Sequence, residues 1–251
     1  MTSGDGRFTH FGFEKVAAAE KAGRVRRVFD SVADRYDVMN DLMSFGIHRL
    51  WKRAAVAWAG VHPGDHVLDL AAGTGDLCAL LAPRVGDDGL IVAADINDAM
   101  LRRGRDRLLD AGIAHNIVYA LADAEELPFA DDSFACVTMA FGLRNVTRKE
   151  AALAAILRVL KPGGAALILE FSKPVLPGVR RLYDAYSFNV LPILGRMVAG
   201  DDKSYRYLAE SIRVHPDQAE LQAMMEGAGF THCDYLNLSA GIVAMHRGFK
   251  A

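Results

Sequence analysis

A glycine-rich loop and two acidic residues are the parts of this 251-residue sequence whose spacing best suits the binding of a small molecule. The loop runs from Asp69 to Asp76 with the sequence DLAAGTGD, directly after a short apolar segment. Its glycines allow a sharp turn and let a ligand approach the backbone without a Cβ in the way. Asp95 ends the second apolar segment, and Asp123, followed by Ala124, ends the third.

Each of these features has an ordinary structural explanation when it is taken alone. A Gly-x-Gly pair also occurs in a plain strand-to-helix turn, and an aspartate at a strand end can cap the next helix. Ligands of open parallel sheets, however, bind at the carboxyl ends of the strands, where all three features are expected. There Asp95 could accept hydrogen bonds from both hydroxyls of a ribose, and Asp123 one from the exocyclic amine of adenine.

The charges around the loop favour one nucleoside cofactor over another. A dinucleotide fingerprint needs a third glycine, but that position holds Cys78. Asp69 and Asp76 flank the loop, and their carboxylates would repel a pyrophosphate. S-adenosylmethionine carries a sulfonium and an ammonium, which these carboxylates would attract. The residues therefore favour S-adenosylmethionine over NAD.

Alternating strands and helices are predicted to position this site. Five apolar segments separated by helical patterns predict βαβ units and a parallel sheet. Lys-Pro-Gly-Gly at 161–164 is expected to end one helix, and the last two segments read as strands of a hairpin added to the sheet. We expect a poorly ordered segment over residues 1–20 and one domain over 21–251. Within that domain, residues 21–60 are predicted to form a helical lid and 172–214 a cap insertion that interrupts the alternation.

Composition excludes several classes of protein. Apolar residues make up 51% of the chain and the net charge is -2, without a sustained Lys/Arg block, which argues against disorder and nucleic-acid binding. No uncharged apolar run is long enough to span a membrane, and the first residues do not resemble a signal peptide. Three scattered cysteines, without the spacing of metal ligands, indicate a reducing compartment, hence the cytoplasm, and no metal site.

Several longer motifs resemble the ubiquinone/menaquinone biosynthesis C-methyltransferase family. The resemblance extends from about Phe11 to the end and is carried by VFDSVADRYDVMNDLMSFGIHRLWK, VLDLAAGTGD, ADIN, FGLRNV, RVLKPGG, LEFSKP, YDAYSFNVLP, SYRYLAESIRVHPDQ and HRGFK. It implies a Rossmann-like class I methyltransferase fold of the α/β class, with a seven-stranded, mostly parallel sheet and a C-terminal antiparallel hairpin. The reaction it implies is methylation of a ring carbon in a reduced polyprenyl benzoquinol, a demethylmenaquinol or both, with S-adenosylhomocysteine as product.

The resemblance also implies roles for individual residues. Thr74, Asp95, Asp123 and Ala124 match the family's cofactor contacts, whereas Asp69 and Gly73 match the wall of the glycine loop. One departure is Ala140, where many members carry a serine whose hydroxyl touches the cofactor. Only a backbone contact can remain at that position.

An aromatic ring carbon is a weak nucleophile until a phenolic proton is lost and negative charge spreads into the ring. A guanidinium can stabilise phenolate, so we predict this role for Arg144 and an orienting role for Asn145. The group that accepts the proton is left open among a water molecule and the side chains of Asp37, His48, Glu170, Asp184 and Tyr186.

Two alternative functions are kept. The chain could be a binding module that retains the cofactor but serves as a scaffold in a quinone-synthesis assembly, or it could methylate a different small molecule. The substrate is expected to be a lipophilic quinol. Peripheral contact with the inner face of a membrane and assembly into a homodimer are left open by the sequence.

Overall fold

The N-terminal part of the chain forms a small hairpin followed by helices. The structure, a computed structural model, describes residues 8–32, 40–41, 44, 46–190, 193 and 202–251. Strands β1 (Phe8–Phe11) and β2 (Glu14–Ala17) pair antiparallel, and α1 (Ala18–Val32) follows at once. From Phe8 onward the structure thus has regular elements where the sequence suggested a poorly ordered segment, and Gly12, at a φ of 59°, lies in the tight turn between the two strands.

A seven-stranded sheet is the centre of the fold, in the order β5-β4-β3-β6-β7-β9-β8. The first five of its strands along the chain are parallel, and β9 pairs antiparallel with both β7 and β8, which confirms the predicted hairpin. The strands are β3 (His66–Leu70), β4 (Leu90–Asp95), β5 (Ile117–Leu121), β6 (Phe134–Ala140), β7 (Leu160–Phe171), β8 (Thr231–Leu238) and β9 (Val243–Phe249).

Helices cover both faces of this sheet. They are α2 (His48–Trp58), α3 (Asp76–Val85), α4 (Asp98–Asp110), α5 (Lys149–Val159), α6 (Pro177–Ala185), α7 (Asp202–Val214) and α8 (Gln218–Gly227), with a 3-10 turn at Leu143–Asn145 and a π-helical turn at Tyr186–Val190. Neighbouring strand residues such as Val67 and Leu68 are both fully buried but belong to cores on opposite faces. Burial on both faces explains why these strands are apolar without alternation.

The helix before the Lys-Pro-Gly-Gly segment ends as predicted, but the segment itself lies within the next strand. Helix α5 ends at Val159, and β7 begins immediately, at Leu160 rather than after the glycines. Phe134 of β6 pairs with Leu160, and Cys136 pairs with Ala165. Residues 161–164 of β7 therefore form a bulge opposite the single residue between Phe134 and Cys136. Within the described ranges, no helix has the length and apolar character needed to cross a membrane.

Candidate functional site

The glycine loop turns sharply between β3 and α3. Gly73 and Gly75 have φ values of 54° and 79°, and the Gly75 amide donates to the carbonyl of Ala72 at 2.9 Å. Ala71 also has a positive φ, 56°, which costs a residue with a Cβ roughly 1 kcal/mol or more. Strain at a residue other than glycine marks a backbone path fixed by its surroundings, and nothing in the sequence indicated it.

Asp95 joins the glycine loop to the turn after β4. One of its oxygens accepts from the Gly73 amide and the other from the Asn97 amide, both at 2.8 Å. Burial raises the pKa of this carboxyl group, although the amide hydrogen bonds oppose the shift. The cap of α4 is Asn97, whose Oδ1 accepts from the Met100 amide. Asp95 is therefore not a helix cap, and its carboxylate faces a cavity.

That cavity brings together five of the predicted residues. Gly73, Asp95, Asp123, Ala124 and Asn145 all line it. Asp123 is exposed, and one of its oxygens accepts from the Glu125 amide at 2.9 Å, which holds the carboxylate at the cavity mouth. The wall at the end of β6 includes Ala140, Phe141 and Gly142, so the position of the family departure also faces this space.

Helix α1 forms another wall of this cavity. Nothing in the sequence indicated that residues of this helix would line it. Val25 and Phe29 line it together with Arg26, whose guanidinium donates to the carbonyl of Ile96 at 3.2 Å. Asp30 accepts from the Asn97 side chain at 2.8 Å. The helical lid predicted over residues 21–60 includes this part of the chain, but the contact of α1 with the turn after β4 depends on tertiary packing.

Asp69 and Thr74 line a smaller crevice next to the cavity rather than the cavity itself. Asp69 is buried beneath the loop, where it accepts hydrogen bonds from Thr138 Oγ1 at 2.9 Å and Cys78 Sγ at 3.1 Å. Burial raises the pKa of this carboxyl group to about 6, against the lowering effect of these bonds. Cys78, which breaks the dinucleotide pattern in the sequence, thus serves as a donor to Asp69.

Asp76 differs from the sequence interpretation of a free acid beside the loop. Its carboxylate contacts Lys52 Nζ at 2.5 Å and also the Arg107 guanidinium. Burial alone would raise its pKa, but the two cations outweigh burial and lower the pKa to about 2. The Arg107 guanidinium also donates to the carbonyl oxygen of Thr74 at 3.1 Å and to the Thr74 hydroxyl at 3.2 Å. The crevice therefore contains charges of both signs.

Gly104 allows α4 to lie directly against the glycine loop. A Cβ on Gly104 would stand 2.6 Å from the Gly73 carbonyl oxygen and 3.1 Å from the Thr74 carbonyl carbon. Only a residue without a side chain fits this approach. The sequence signal was a glycine inside a helical pattern, which is often associated with close packing.

Arg144 and Asn145 point to different spaces although they are adjacent in the 3-10 turn. Asn145 Oδ1 accepts from the Tyr207 hydroxyl at 2.9 Å, at the edge of the cavity. Arg144 is buried, and its Nη1 lies 2.7 Å from Glu170 Oε1. Glu170 also accepts from the Arg144 and Phe171 amides, while the Arg144 Nε–H has no hydrogen-bond partner among the residues that the structure describes. The structure thus places Arg144 in a buried ion pair and not in the lining of the cavity.

The residues considered as proton acceptors are not brought together. Glu170 is engaged by Arg144, and the buried His48 contacts Asp41 through Nε2 at 3.0 Å. Burial, followed by the charge of Lys52, lowers the pKa of His48. Burial raises the pKa of the Tyr186 hydroxyl. Asp37 and the side chain of Asp184 lie outside the described part of the structure.

Comparison with known proteins gives consistent matches over almost the whole chain. Residues 16–250 match the model of the ubiE/COQ5 methyltransferase family. The ubiquinone/menaquinone biosynthesis C-methyltransferase UbiE of Teredinibacter turnerae is 61% identical over 243 residues, which cover 97% of this chain and 98% of that protein. The protein of the same name from Enterobacter sp. (strain 638) is 60% identical, with 96% of each chain covered.

Solved structures with lower identity share the fold. A SAM-dependent methyltransferase from Aquifex aeolicus superposes with a TM-score of 0.62 at 16% identity, over 85% of this chain and 97% of the other. A SAM-dependent methyltransferase from Thermotoga maritima, described as a possible histamine N-methyltransferase, gives 0.63 at 20% identity over 90% and 99%. These likenesses establish the class I methyltransferase fold that the sequence predicts.

Proposed function

The chain belongs to the ubiE/COQ5 methyltransferase family, and on this basis we propose how its cavity serves methyl transfer to a quinol ring. It is an S-adenosylmethionine-dependent C-methyltransferase of ubiquinone and menaquinone biosynthesis. The observation that carries the proposal is the single cavity shared by Gly73, Asp95, Asp123, Ala124 and Asn145.

The nucleoside end of the cofactor fits the acidic side of this cavity. Each carboxylate oxygen of Asp95 accepts one hydrogen bond from a backbone amide, which fixes the carboxylate. Further lone pairs on both oxygens are left to accept from the ribose hydroxyls. Asp123 and Ala124 provide a carboxylate and a backbone amide for the adenine edge, and Ile96 and Met100 supply apolar contact. When bound, S-adenosylmethionine supplies an electrophilic methyl group.

The amino-acid end of the cofactor matches the charges of the crevice. Asp69 provides a negative charge for an ammonium group, and Lys52 provides a positive charge for a carboxylate. Lys52 also pairs with Asp76, which has Arg107 as its second cation. The cluster of Lys52, Asp76 and Arg107 therefore has a net positive charge. A crevice with both signs suits a zwitterion and would disfavour a pyrophosphate near Asp69.

The quinol ring is proposed to face Asn145 and Phe141 at the end of β6. The Asn145 side chain, held by the Tyr207 hydroxyl, would orient a ring hydroxyl through its free amide N–H groups. Arg144 lies outside this cavity, and its Nη1 donates to the carbonyl of Phe141 and pairs with Glu170. Its contribution would therefore be to hold Phe141 and the turn that carries Asn145 in place, and not to contact the phenolate.

Transfer of a labelled methyl group from S-adenosylmethionine to the reduced quinol tests this proposal. We expect turnover with reduced benzoquinol or demethylmenaquinol and none with the oxidised forms, because a quinone ring is electrophilic. A chain that binds the cofactor but transfers no label to either quinol would instead be a scaffold. Transfer only to other acceptors would support the second alternative function.

Replacement of Arg144 tests its role in turnover. Arg144→Ala should lower kcat by about 100-fold, as expected when the residues that orient a reacting group are displaced, with little change in cofactor affinity. The neutral pair Arg144→Met with Glu170→Gln avoids an unpaired buried carboxylate and should show the same loss. Arg148→Ala, which removes an exposed arginine four residues away, is the control. Equal losses of turnover and cofactor affinity would contradict the role.

A further inference from the structure

A second cavity, of about 270 Å³, lies on the other side of the 3-10 turn and is rich in basic groups. Its walls come from the β1–β2 hairpin, α1, the start of α5 and the end of α7. Lys21, Arg144, Lys149 and His215 all line it, and Glu150, which is exposed, is the acidic residue at its edge. It shares Thr147 with the cofactor cavity but none of the acidic residues proposed to hold the nucleoside.

The two lysines carry charges that are not compensated locally. Lys21 is 3% exposed, and its ammonium group donates to the neutral carbonyl of Val146 at 3.0 Å. Among the residues that the structure describes, neither Lys21 nor Lys149 forms an ion pair. Glu125, whose charge acts on both ammonium groups, already accepts hydrogen bonds from the Thr147 amide and from the amide and Nε of Arg148, and Glu170 is paired with Arg144. A buried ammonium group without an anion is unfavourable, so the cavity is poised to accept one.

His215 provides a third donor that is already in place. It is 3% exposed, and neither of its ring nitrogens has a hydrogen-bond partner in the part of the chain that the structure describes. Burial, followed by the charges of Lys149 and Arg144, holds its pKa well below the usual range, so the ring is neutral and carries one N–H. A buried donor without an acceptor is rare in folded proteins and indicates a ligand or water at that position.

The start of α5 adds a favourable dipole. Lys149 is the first residue of this 11-residue helix, and the preceding Arg148 provides no side-chain cap. Glu125 occupies the Thr147 and Arg148 amides just before the helix, so the attraction for a further anion comes from the amides of the first helical turn itself. Two ammonium groups, a neutral imidazole and a helix start are together a typical donor set for a tetrahedral oxyanion.

We propose that this second cavity is a binding site for a phosphate-type oxyanion, supplied either as a free anion or as a phospholipid headgroup. The site is separate from the proposed methyl-transfer cavity. The hairpin at its edge carries the exposed side chains of Phe8 and Phe13, which gives a headgroup an adjacent apolar surface. Arg144 is paired with Glu170, so it forms part of the cavity wall but is not proposed to bind the anion.

Titration calorimetry of the full chain with inorganic phosphate and sulfate, and binding to vesicles, test the proposal. The variant is Lys149→Gln, since Lys149 is half-buried and its removal relieves repulsion with Lys21. The control is Lys161→Gln, an exposed lysine in the β7 bulge. We expect the affinity of the parent for phosphate to fall at least tenfold in Lys149→Gln and to be unchanged in Lys161→Gln.

Two vesicle compositions distinguish the sources of the anion. Binding to phosphatidylglycerol vesicles that is lost in Lys149→Gln, without binding of free phosphate, would identify the headgroup as ligand. Binding of free phosphate, without preference for phosphatidylglycerol over phosphatidylcholine, would identify the free anion. No binding of either kind, or equal binding by Lys149→Gln, would overturn the proposal. Affinity for S-adenosylhomocysteine, measured in the same variants, reports separately on the methyl-transfer cavity and should not change.

Discussion

The two carboxylates beside the glycine loop differ in the groups that compensate their charge. Within the described residues, Asp76 forms ion pairs with Lys52 and Arg107, whereas the hydrogen-bond partners of Asp69 are a hydroxyl and a thiol. Neutral donors compensate a buried carboxylate less fully than a cation does. The pKa of Asp69, about 6, is therefore raised, and that of Asp76, about 2, is lowered. An unbalanced negative charge at this point is a cost to folding that a positively charged ligand would relieve.

Replacing Asp69 with Asn should separate stability from cofactor binding. Because the pKa is higher in the folded chain than the unfolded value of 3.8, the ionised group is destabilising above about pH 6, and the penalty disappears as the pH falls towards 3.8. A shift of that size corresponds to about 3 kcal/mol at most. We expect Asp69→Asn to raise the free energy of unfolding at pH 8 by about 1–3 kcal/mol and to lower cofactor affinity.

Urea unfolding at pH 8 and pH 4.5 measures this effect, and calorimetry measures the affinity. The gain in stability should shrink at pH 4.5, where Asp69 is largely protonated. Asp131→Asn, which removes an exposed carboxylate paired with Arg158, should show no such dependence on pH. A variant that is less stable than the parent at pH 8 would mean that the carboxylate stabilises the loop.

At the scale of the elements, the cavity proposed for the cofactor depends on how closely α4 approaches the glycine loop. Gly104 permits contact between the helix and the Gly73 carbonyl, while Asn97 caps the helix and bonds to Asp30 of α1. Asp95 then links the loop to the same turn. Three elements that are separate in sequence are thereby fixed around one ligand-sized space, as precise binding geometry requires.

Replacing Gly104 with Ala should disturb this arrangement. The added methyl group would stand 2.6 Å from the Gly73 oxygen, so helix and loop must separate. We expect the free energy of unfolding to fall by about 1–3 kcal/mol, as for other overpacked sites, together with a loss of cofactor affinity. Thermal unfolding with and without S-adenosylhomocysteine measures both quantities.

Gly227→Ala is the matched control for Gly104→Ala. Gly227 is also helical, but a Cβ there meets no atom within 4 Å. Its replacement should leave binding unchanged and stabilise α8 by up to about 1 kcal/mol through helix propensity. If Gly104→Ala bound the cofactor as tightly as the parent chain, close packing at the loop would not control the cavity.

At the scale of the whole molecule, the cavity lies between the sheet and the N-terminal helix. Helix α1 contributes Val25, Arg26 and Phe29 to one wall, and the carboxyl ends of the strands provide the other. A ligand that touches both walls stabilises their closed arrangement by its binding free energy. We therefore propose that α1 acts as part of a lid, as the domain organisation inferred from the sequence requires.

Hydrogen exchange measured with and without S-adenosylhomocysteine tests the lid. Amides of α1 should exchange more slowly in the complex, because opening of the helix would break contacts with the ligand. Strands β8 and β9, which lie at the far edge of the sheet, serve as the internal control and should be unaffected. Unchanged exchange in α1, with protection limited to the glycine loop, would contradict a lid function.

Much of this molecule is determined by local sequence. Continuous apolar strands followed by helices specify a sheet buried on both faces, and parallel pairing brings strand ends to one edge. Gly73, Asp95 and Asp123 were therefore expected to be neighbours, and the cavity does bring them together. The terminal strands Thr231–Leu238 and Val243–Phe249 also follow their predicted pattern.

Only the tertiary structure decided which groups compensate one another. Arg144 pairs with Glu170, 26 residues away, Lys52 with Asp76, 24 away, and Lys21 reaches the carbonyl of Val146, 125 away. Periodicity reports which face of an element is buried, but it carries no information about which charge lies opposite on another element. For this reason the sequence predicted the edge of the sheet at which the cavity lies, whereas the ion pair of Arg144, the charges around Asp76 and the basic second cavity appeared only when the chain was folded.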